Sequence, residues 1–449
     1  MLPVQPRAKI RTWLGAAVVA AVLGGLALVS FPGAAPPATS TGGPGRPMGA
    51  VSPAPPVDEA SRADAVDDLL RRRAQAVRTH DEQAFLATLD PKADQTFVAG
   101  QRRLFTNLAG VPFDEWTYRL NPDDALDLTE LPDTGPADEL WAPAVDLRYA
   151  LRGADLIPTD RTMGYLFARH GDSWYLRSDT ALDALGRRTW RGPWDFAPCV
   201  VTTTEHGIIL SHPGGEPVVE RLVRELDPAV EGVSAIWPTS WSQRVALVLP
   251  DSLGEMRALV GPDFPVESVV AVAVADRVDN KTRTVAGQRV VLSPSGVRAL
   301  SVASLRIVLR HEITHLAARA DTVDGSPTWL LEGFADYVGY RDSGVTLAEG
   351  APDLAKMVRQ QGLPTALPED RAFRSGGTEL DLAYQQSWSL SRYIAERYGE
   401  PALIAVYRRI AGAGPVSATE TDTMLRELLG VDRNGLVADW QSYLRDALK

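Results

Sequence analysis

The residues His-Glu-Ile-Thr-His at 311–315 limit what this chain can fold into more than any other stretch. No Gly or Pro interrupts the sequence from Val297 to Thr322, and apolar residues recur at helical spacing: Leu305, Val308, Leu309 and Leu316. Side chains four residues apart lie on one face of a helix, about 6 Å apart along its axis. The spacing therefore predicts a helix on which His311 and His315 point at one metal ion. Glu312, slightly rotated from them, could take a proton from metal-bound water.

The sequence downstream offers a third ligand. After a loop at 320–325, Ser326 can cap and Pro327 can open a second helix, which carries Glu332 and, one turn later, Asp336. We expect Glu332 to bind the metal and Asp336 to orient one of the imidazoles. Three protein ligands leave one coordination position for water, as catalytic zinc sites do. A helix that buries or solvates two histidines without a metal remains the alternative.

Composition excludes several other kinds of site. The chain has one cysteine, Cys199, so neither an intrachain disulfide nor a cysteine metal site is available, and we predict an inert buried thiol. The net charge of −11 argues against a nucleic-acid partner. None of the other four histidines has ligand spacing. His170 is predicted to be solvated in a turn, and His206 and His212 to be structural.

The N-terminus contains an uncharged apolar stretch at 13–31, preceded by basic residues: Arg7, Lys9 and Arg11. Its length and flanking charges predict a single-pass membrane anchor with residues 1–12 in the cytoplasm and the rest of the chain outside it. A signal peptide cleaved near Ala34, giving a secreted protein, is the alternative. Residues 32–56 are rich in Pro, Gly and Ala and predict a disordered linker.

Residues 57–187 are predicted to form an α+β domain. Helical stripes come first, formed by Val66, Leu69, Leu70 and Val77 and then by Phe85, Leu86 and Leu89. Apolar and polar residues then alternate over 145–151, and Gly171-Asp172 marks a hairpin. This order predicts helices on one face of a curved antiparallel sheet. The pattern resembles the nuclear-transport-factor-2-like cone fold, which implies no single function because such cones serve as pockets, enzymes and dimerisation modules.

Residues 195–449 are predicted to form a second domain, in which a small mixed sheet precedes the metal helix and further helices follow. The motifs HEITH and WLLEGFADY resemble those of the gluzincin metallopeptidases, the thermolysin and aminopeptidase N clan, and are most similar to its peptidase-MA-like branch. The resemblance implies one Zn²⁺ ion held by His311, His315 and Glu332. It also implies a peptide or protein substrate, with Glu312 as the general base.

Two further roles follow only from this resemblance. A tyrosine on a helix after the glutamate ligand stabilises the oxyanion in gluzincins, and Tyr384 in AYQQSWSLSRYI matches that motif. An edge strand in the clan pairs with the extended substrate, and residues 288–293 are the candidate. Core packing of Tyr384 and an ordinary sheet strand at 288–293 are the alternatives. Tyr393 and Tyr398 are expected to pack in the core.

Together these patterns predict an α+β chain with an N-terminal transmembrane helix, a cone-like domain and a gluzincin-type domain. The predicted function is a membrane-anchored extracytoplasmic zinc peptidase. A membrane-tethered binding or assembly protein, whose peptidase-like domain holds zinc without catalysis, is the alternative. No aminopeptidase motif precedes HEITH, which favours an endopeptidase.

Overall fold

The computed structural model describes residues 59–238, 241–262 and 264–448. Residues 59–195, here called the N-terminal unit, begin with three helices and continue with six strands. Its helices are α1 (Glu59–Thr79), α2 (Glu82–Leu86) and α3 (Gln95–Leu108). Its strands are β1 (Phe113–Ala125), β2 (Glu139–Trp141), β3 (Pro143–Leu151), β4 (Thr159–Met163), β5 (Leu166–His170) and β6 (Ser173–Ser178). The predicted order of helices and then antiparallel strands is confirmed.

The strands of the N-terminal unit form two three-stranded antiparallel sheets, in the orders β1-β3-β4 and β2-β5-β6, whereas the sequence predicted one curved sheet. The separation lies at Gly164, between β4 and β5. There the backbone N–H of Trp190 donates to the Thr162 carbonyl at 3.0 Å, and the N–H of Gly164 donates to the Thr189 hydroxyl at 3.0 Å. The returning segment 187–190 therefore lies against this corner, where the chain leaves one sheet and enters the other.

A five-stranded mixed sheet, here called the central sheet, follows in the order β10-β13-β9-β8-β7. Its strands are β7 (Val200–Thr204), β8 (Gly207–Ser211), β9 (Val245–Val248), β10 (Ala271–Val274) and β13 (Arg289–Leu292). Helices α4 (Glu216–Ile236) and α5 (Leu253–Val260) connect them, and β11 (Arg277–Asp279) pairs with β12 (Thr284–Ala286) as a separate hairpin. The parallel pairs are β8 with β9 and β9 with β13, while both outer pairs are antiparallel.

The two faces of the central sheet belong to different hydrophobic clusters. One face packs on the N-terminal unit through Ile208, Leu210, Ala246, Val248, Val272, Val274 and Val291. The other packs on helices through Ile209, Val245, Leu247, Ala271, Val290 and Leu292. Because side chains alternate along a strand, each strand contributes to both layers. The central sheet is therefore buried between the N-terminal unit and the helices.

Residues 296–448, here called the helical unit, complete the chain. They comprise α6 (Gly296–Ala299), α7 (Val302–Ala318), α8 (Thr328–Tyr340), α9 (Leu347–Gly350), α10 (Pro352–Gln360), α11 (Thr378–Tyr398), α12 (Glu400–Ala411), α13 (Ala418–Leu429) and α14 (Arg433–Ala447). Helix α8 packs on both α7 and α11 and forms the centre of this unit. Tyr393 is buried there as predicted, and Tyr398 packs against the same cluster.

The predicted fold class is wrong in its first element, the transmembrane helix. Within 59–238, 241–262 and 264–448, no helix is both long and apolar enough to cross a membrane. Helices α1, α4 and α11, of 21 residues each, carry acidic and basic side chains along their lengths. The stretch at 13–31, the predicted anchor, lies outside the described residues, as does the membrane contact predicted for it.

Candidate metal centre

Helix α7 carries the two histidines of the predicted site. It begins after Ser301, whose hydroxyl accepts the N–H of Ser304 at 3.0 Å, a standard N-cap. The apolar face of α7 packs on the central sheet and on α8 through Leu305, Val308, Leu309, Ile313 and Leu316. This packing fixes the orientation of α7 about its own axis. The rings of His311 and His315 then lie 4.8 Å apart between their centroids.

Glu332 on α8 reaches both imidazoles. Its Oε2 lies 3.3 Å from Nε2 of His311 and 3.7 Å from Nε2 of His315, and the two Nε2 atoms are 3.1 Å apart. Metal–ligand distances of about 2.0–2.1 Å in a tetrahedral zinc site separate neighbouring ligand atoms by roughly 3.3 Å. These three atoms therefore have the mutual spacing of ligands around one ion. They form a His/Glu triad that could hold a metal ion.

Asp336 lies one helical turn beyond Glu332 and contacts the first histidine. Its Oδ1 is 2.8 Å from Nδ1 of His311. A carboxylate at this position accepts the Nδ1 proton and leaves the Nε2 lone pair directed at the triad. The structure thus brings Asp336 to His311, as the sequence analysis expected for one of the two imidazoles.

The connection between α7 and α8 is anchored by α12. The Val323 N–H donates to the Ala411 carbonyl at 2.9 Å, and the Thr322 hydroxyl lies 2.9 Å from that of Tyr407. The predicted cap at Ser326 is wrong, because its hydroxyl donates to the carbonyls of Val323 and Ala411 instead. The carboxylate of Asp370, far away in sequence, accepts the N–H of Thr328 at 2.9 Å.

Glu312 is buried beside the triad on α7, which packs against β10. Burial raises the pKa of Glu312 above its ordinary value, although His311 and His315 act in the opposite direction. The nearby backbone of Ala273 also acts to lower that pKa. A carboxylate with a raised pKa accepts a proton more readily than a solvated one. Glu312 therefore combines a fixed position with the basicity that proton transfer needs.

The triad itself has shifted pKa values. Burial favours the neutral form of Glu332, but the adjacent His315 and His311 outweigh it and lower the pKa of Glu332 to about 2. Burial likewise opposes protonation of His311, yet Asp336 and Glu332 outweigh it and raise the pKa of His311 well above its ordinary value. Negative potential from carboxylates thus dominates at the imidazoles, and it would also favour a bound cation.

Tyr384 lies on α11, which packs closely against α8. Its side chain is buried, and its ring contacts Phe373 with 5.3 Å between the centroids. It precedes Ser387 by one turn, and Ser387 contacts Gly333, the neighbour of Glu332. The structure therefore places Tyr384 on the helix adjoining the Glu332 helix, in surroundings that also suit a core residue.

The strand predicted to form the substrate-binding edge is an inner strand of the central sheet. Residues 288–293 include β13, which lies between β10 and β9, so that prediction is wrong. Among the described strands, β10 is one of the two edge strands of the central sheet, with β7 at the other edge, and β10 is the one that packs against α7. The Ser293 N–H donates to the Val270 carbonyl, so alternation directs the backbone of Val272 and Val274 to β13 and that of Ala271 and Ala273 away from it.

Three of the other four histidines, His170, His206 and His212, have structural partners. His170 is not solvated as predicted, because its Nε2 contacts the buried Asp90 carboxylate at 3.0 and 3.1 Å. His212 is buried and contacts Glu255, and His206 lies 3.3 Å from the Gln243 carbonyl, both consistent with structural roles. Cys199 is free and buried, and burial raises its pKa to about 12, consistent with an inert thiol.

Comparison with known proteins identifies one region of the chain. Residues 284–446, from β12 to α14, match the family model of the Peptidase MA superfamily. No curated protein matches the chain. The matched region contains the whole triad, Glu312 and Asp336, but not β10 or the N-terminal unit. The chain therefore contains a domain similar to those of the Peptidase MA superfamily, a likeness that supports a peptidase-like function.

Proposed function

We propose that this protein is a zinc-dependent peptidase in which Glu312 is the general base. The observation that carries the proposal is the mutual spacing of the His311, His315 and Glu332 ligand atoms, with the Glu312 carboxylate buried beside them. The match to the Peptidase MA superfamily supplies the reaction class. The proposed substrate is a peptide or protein.

The donor set favours zinc over the common hard cations. Two imidazole nitrogens and one carboxylate suit Zn²⁺, whereas Ca²⁺ and Mg²⁺ prefer ligand sets made of oxygen atoms. When bound, zinc would supply Lewis acidity, acidifying a water molecule and polarising the scissile carbonyl. The three residues would hold the ion and would leave a coordination position for water or substrate.

The protein's own residues would carry the proton transfers. Glu312 accepts a proton from the attacking water and delivers it to the leaving amine. The packing of α7 against β10 and α8 holds the Glu312 carboxylate beside the triad. The phenol of Tyr384 is the proposed donor to the oxyanion that forms at the carbonyl.

The free edge of β10 is the proposed binding strand for an extended peptide. The backbone of Ala271 and Ala273 faces away from β13, so its N–H and C=O groups are directed where an added strand would lie. Main-chain pairing of this kind tolerates many side chains. The proposed place of action, outside the cytoplasm, rests on the sequence of residues 7–31, which the structure does not describe.

The test uses the full chain loaded with zinc and a peptide library. Glu312→Gln keeps the size of the side chain but removes its basicity, so we expect stoichiometric zinc and a loss of turnover of about 10²-fold or more. Tyr384→Phe should lower kcat by about 10²-fold, with KM changed less, if its hydroxyl donates to the oxyanion. Zinc content and cleavage rates are measured on the same preparations.

Two outcomes would contradict the proposal. Wild-type cleavage that survives complete removal of the metal would exclude a zinc peptidase. Full activity of Glu312→Gln would remove Glu312 from its role. A wild-type protein that binds zinc and cleaves no peptide would favour the binding or assembly protein considered as the alternative.

A further inference from the structure

A buried ion pair joins the N-terminal unit to the end of the edge strand β10. Asp276 follows β10 by two residues, and its side chain is 7% exposed. The hydroxyl of Thr159 donates to its Oδ2 at 2.6 Å, and Arg161 donates to its Oδ1. Both donors lie on β4, more than a hundred residues earlier in the chain.

The surroundings of Asp276 fit this carboxylate closely. The opposite residue, Gly287, has a φ of +64°, and a Cβ there would lie 2.0 Å from Oδ2 of Asp276. The guanidinium of Arg161 also lies over the Trp190 ring, 4.7 Å from its centroid. The backbone N–H of Asp276 donates to the Ala286 carbonyl at 2.9 Å. Asp276 is therefore fixed through both its backbone and its side chain.

The neighbouring strand β13 is attached in the same way. Arg289, its first residue, makes a bidentate ion pair with Asp155 at 2.6 and 2.8 Å, and both side chains are buried. Asp155 in turn accepts the Leu151 N–H at 2.7 Å. Two adjacent strands of the central sheet are thus attached to the N-terminal unit by ion pairs that are buried from water.

Strand β10 needs such an attachment more than the inner strands do. It has four residues, and β13 is the strand that it pairs with in the described residues. A short edge strand held along one side is easily displaced along or away from the sheet. Helix α7, which carries Glu312, packs against β10, so displacement at Asp276 would move the surface that faces the metal centre.

We propose that Asp276 is a positioning residue, through which Thr159 and Arg161 of the N-terminal unit hold β10 in place to bind a peptide substrate. The inference rests on the proposed function and assigns the N-terminal unit a part in it. Asp276 touches neither the triad nor Glu312 in this arrangement. It acts through the backbone of β10.

The test compares Asp276→Asn and Asp276→Ala with the wild type in the full-length zinc-loaded protein. The asparagine variant keeps an acceptor for Thr159 and removes the charge, so it is the milder change. We expect KM to rise about tenfold in the alanine variant, because substrate pairing depends on the position of β10. We expect kcat to fall by less than KM rises, because Glu312 and the three ligands are on α7 and α8, whose packing on each other does not involve Asp276. Zinc content should be unchanged.

Asp90→Asn is the matched control. Asp90 is a fully buried carboxylate that pairs with Arg177 at 2.7 Å, inside the N-terminal unit and away from the central sheet. It should lower stability as Asp276→Asn does but leave KM unchanged. Arg161→Ala should reproduce the KM of Asp276→Ala, and the double variant should add little, because the two side chains form one interaction.

Hydrogen–deuterium exchange of a peptide covering residues 268–276 provides a readout that is independent of activity. Exchange should be faster in the Asp276 and Arg161 variants and unchanged in the Asp90 control. Wild-type exchange in the Asp276 variants, a wild-type KM, or an equal rise of KM in the control would each overturn the inference. If the wild type cleaves no peptide, the proposed function fails, and exchange still decides whether Asp276 holds β10.

Discussion

His311 has a carboxylate at each of its ring nitrogens. Nδ1 contacts Asp336 at 2.8 Å, and Nε2 contacts Glu332 at 3.3 Å. The contact with Asp336 fixes the ring proton on Nδ1. The contact with Glu332 places a carboxylate oxygen beside Nε2, the atom that would bind a metal. Both pairings follow from helical spacing, since each helix presents its two polar residues four positions apart.

Asp336→Asn tests the orienting contact. An amide at this position has no charge, so it polarises His311 less, and we expect zinc affinity to fall about ten- to a hundredfold. Competition with a chelating dye measures the affinity directly. Asp342→Asn, beyond the end of α8 and with a side chain 71% exposed, is the control and should bind zinc like the wild type. Equal zinc affinity of the Asp336 and Asp342 variants would contradict the orienting role.

Residue-scale contacts that depend on distant segments could not be predicted. His170 was expected in solvent because no partner lies near it in sequence, yet Asp90 is 80 positions away. Ser326 was expected to cap α8 because its local sequence permits it, yet the Ala411 carbonyl, 85 positions away, takes its hydroxyl proton. Local spacing thus predicted the triad, whereas polar partners brought together by tertiary packing remained hidden.

Among the elements, the approach of α8 to α11 depends on one glycine. A Cβ on Gly333 would lie 2.4 Å from the Ser387 carbonyl oxygen and 2.7 Å from the Ser391 hydroxyl. Gly333 directly follows Glu332, so the distance between these helices also sets where the ligand lies. Helix propensity alone would favour Ala at this position.

Gly333→Ala should therefore destabilise the protein although it improves helix propensity. The added methyl group meets backbone, which cannot rotate away, and overpacking of this kind typically costs about 1–3 kcal/mol. We also expect weaker zinc binding, because the helices must separate beside Glu332. Gly254→Ala in α5 is the matched control, since a Cβ there meets only the Ser252 hydroxyl at 3.7 Å. Urea unfolding and zinc competition compare the two, and a Gly333 variant as stable as the control would contradict the expectation.

The order of the strands in the central sheet could not be predicted from the sequence. The strands at 271–274 and 289–292 are both short and apolar, so nothing in either marks it as the edge. The hairpin of β11 and β12 between them lets β10 pair antiparallel with β13, on the outer side. Strand β13 directly precedes the metal helix in the chain and is therefore the one expected at the sheet edge beside that helix. The strand pairing places β10 at this edge instead.

At the scale of the whole molecule, the central sheet unites segments that the sequence analysis treated as separate domains. The division into domains at 57–187 and 195–449 stays a prediction. One hydrophobic cluster contains residues from both ranges, from Val66 to Val291. A signal for this was present: strands such as VALV and AVAV lack the polar alternation of a sheet with one wet face. Which segment covers the second face is not encoded in that pattern.

His212 joins three segments where the N-terminal unit meets the central sheet. Its Nδ1 faces the Pro198 carbonyl at 2.9 Å and its Nε2 faces Glu255 at 2.8 Å, so the doubly protonated ring donates to both. Burial opposes this, but Glu255, Pro198 and Asp251 outweigh it and raise the pKa of His212. A raised folded-state pKa stabilises the fold below the unfolded value of about 6.5, and this contribution is lost as pH rises through the folded value. His212→Gln does not titrate, so the wild type's free energy of unfolding relative to the variant should fall as pH rises from about 6 through the raised pKa of His212. Urea unfolding of both proteins measures this difference, and a constant or growing value would mean that His212 is neutral in the folded protein.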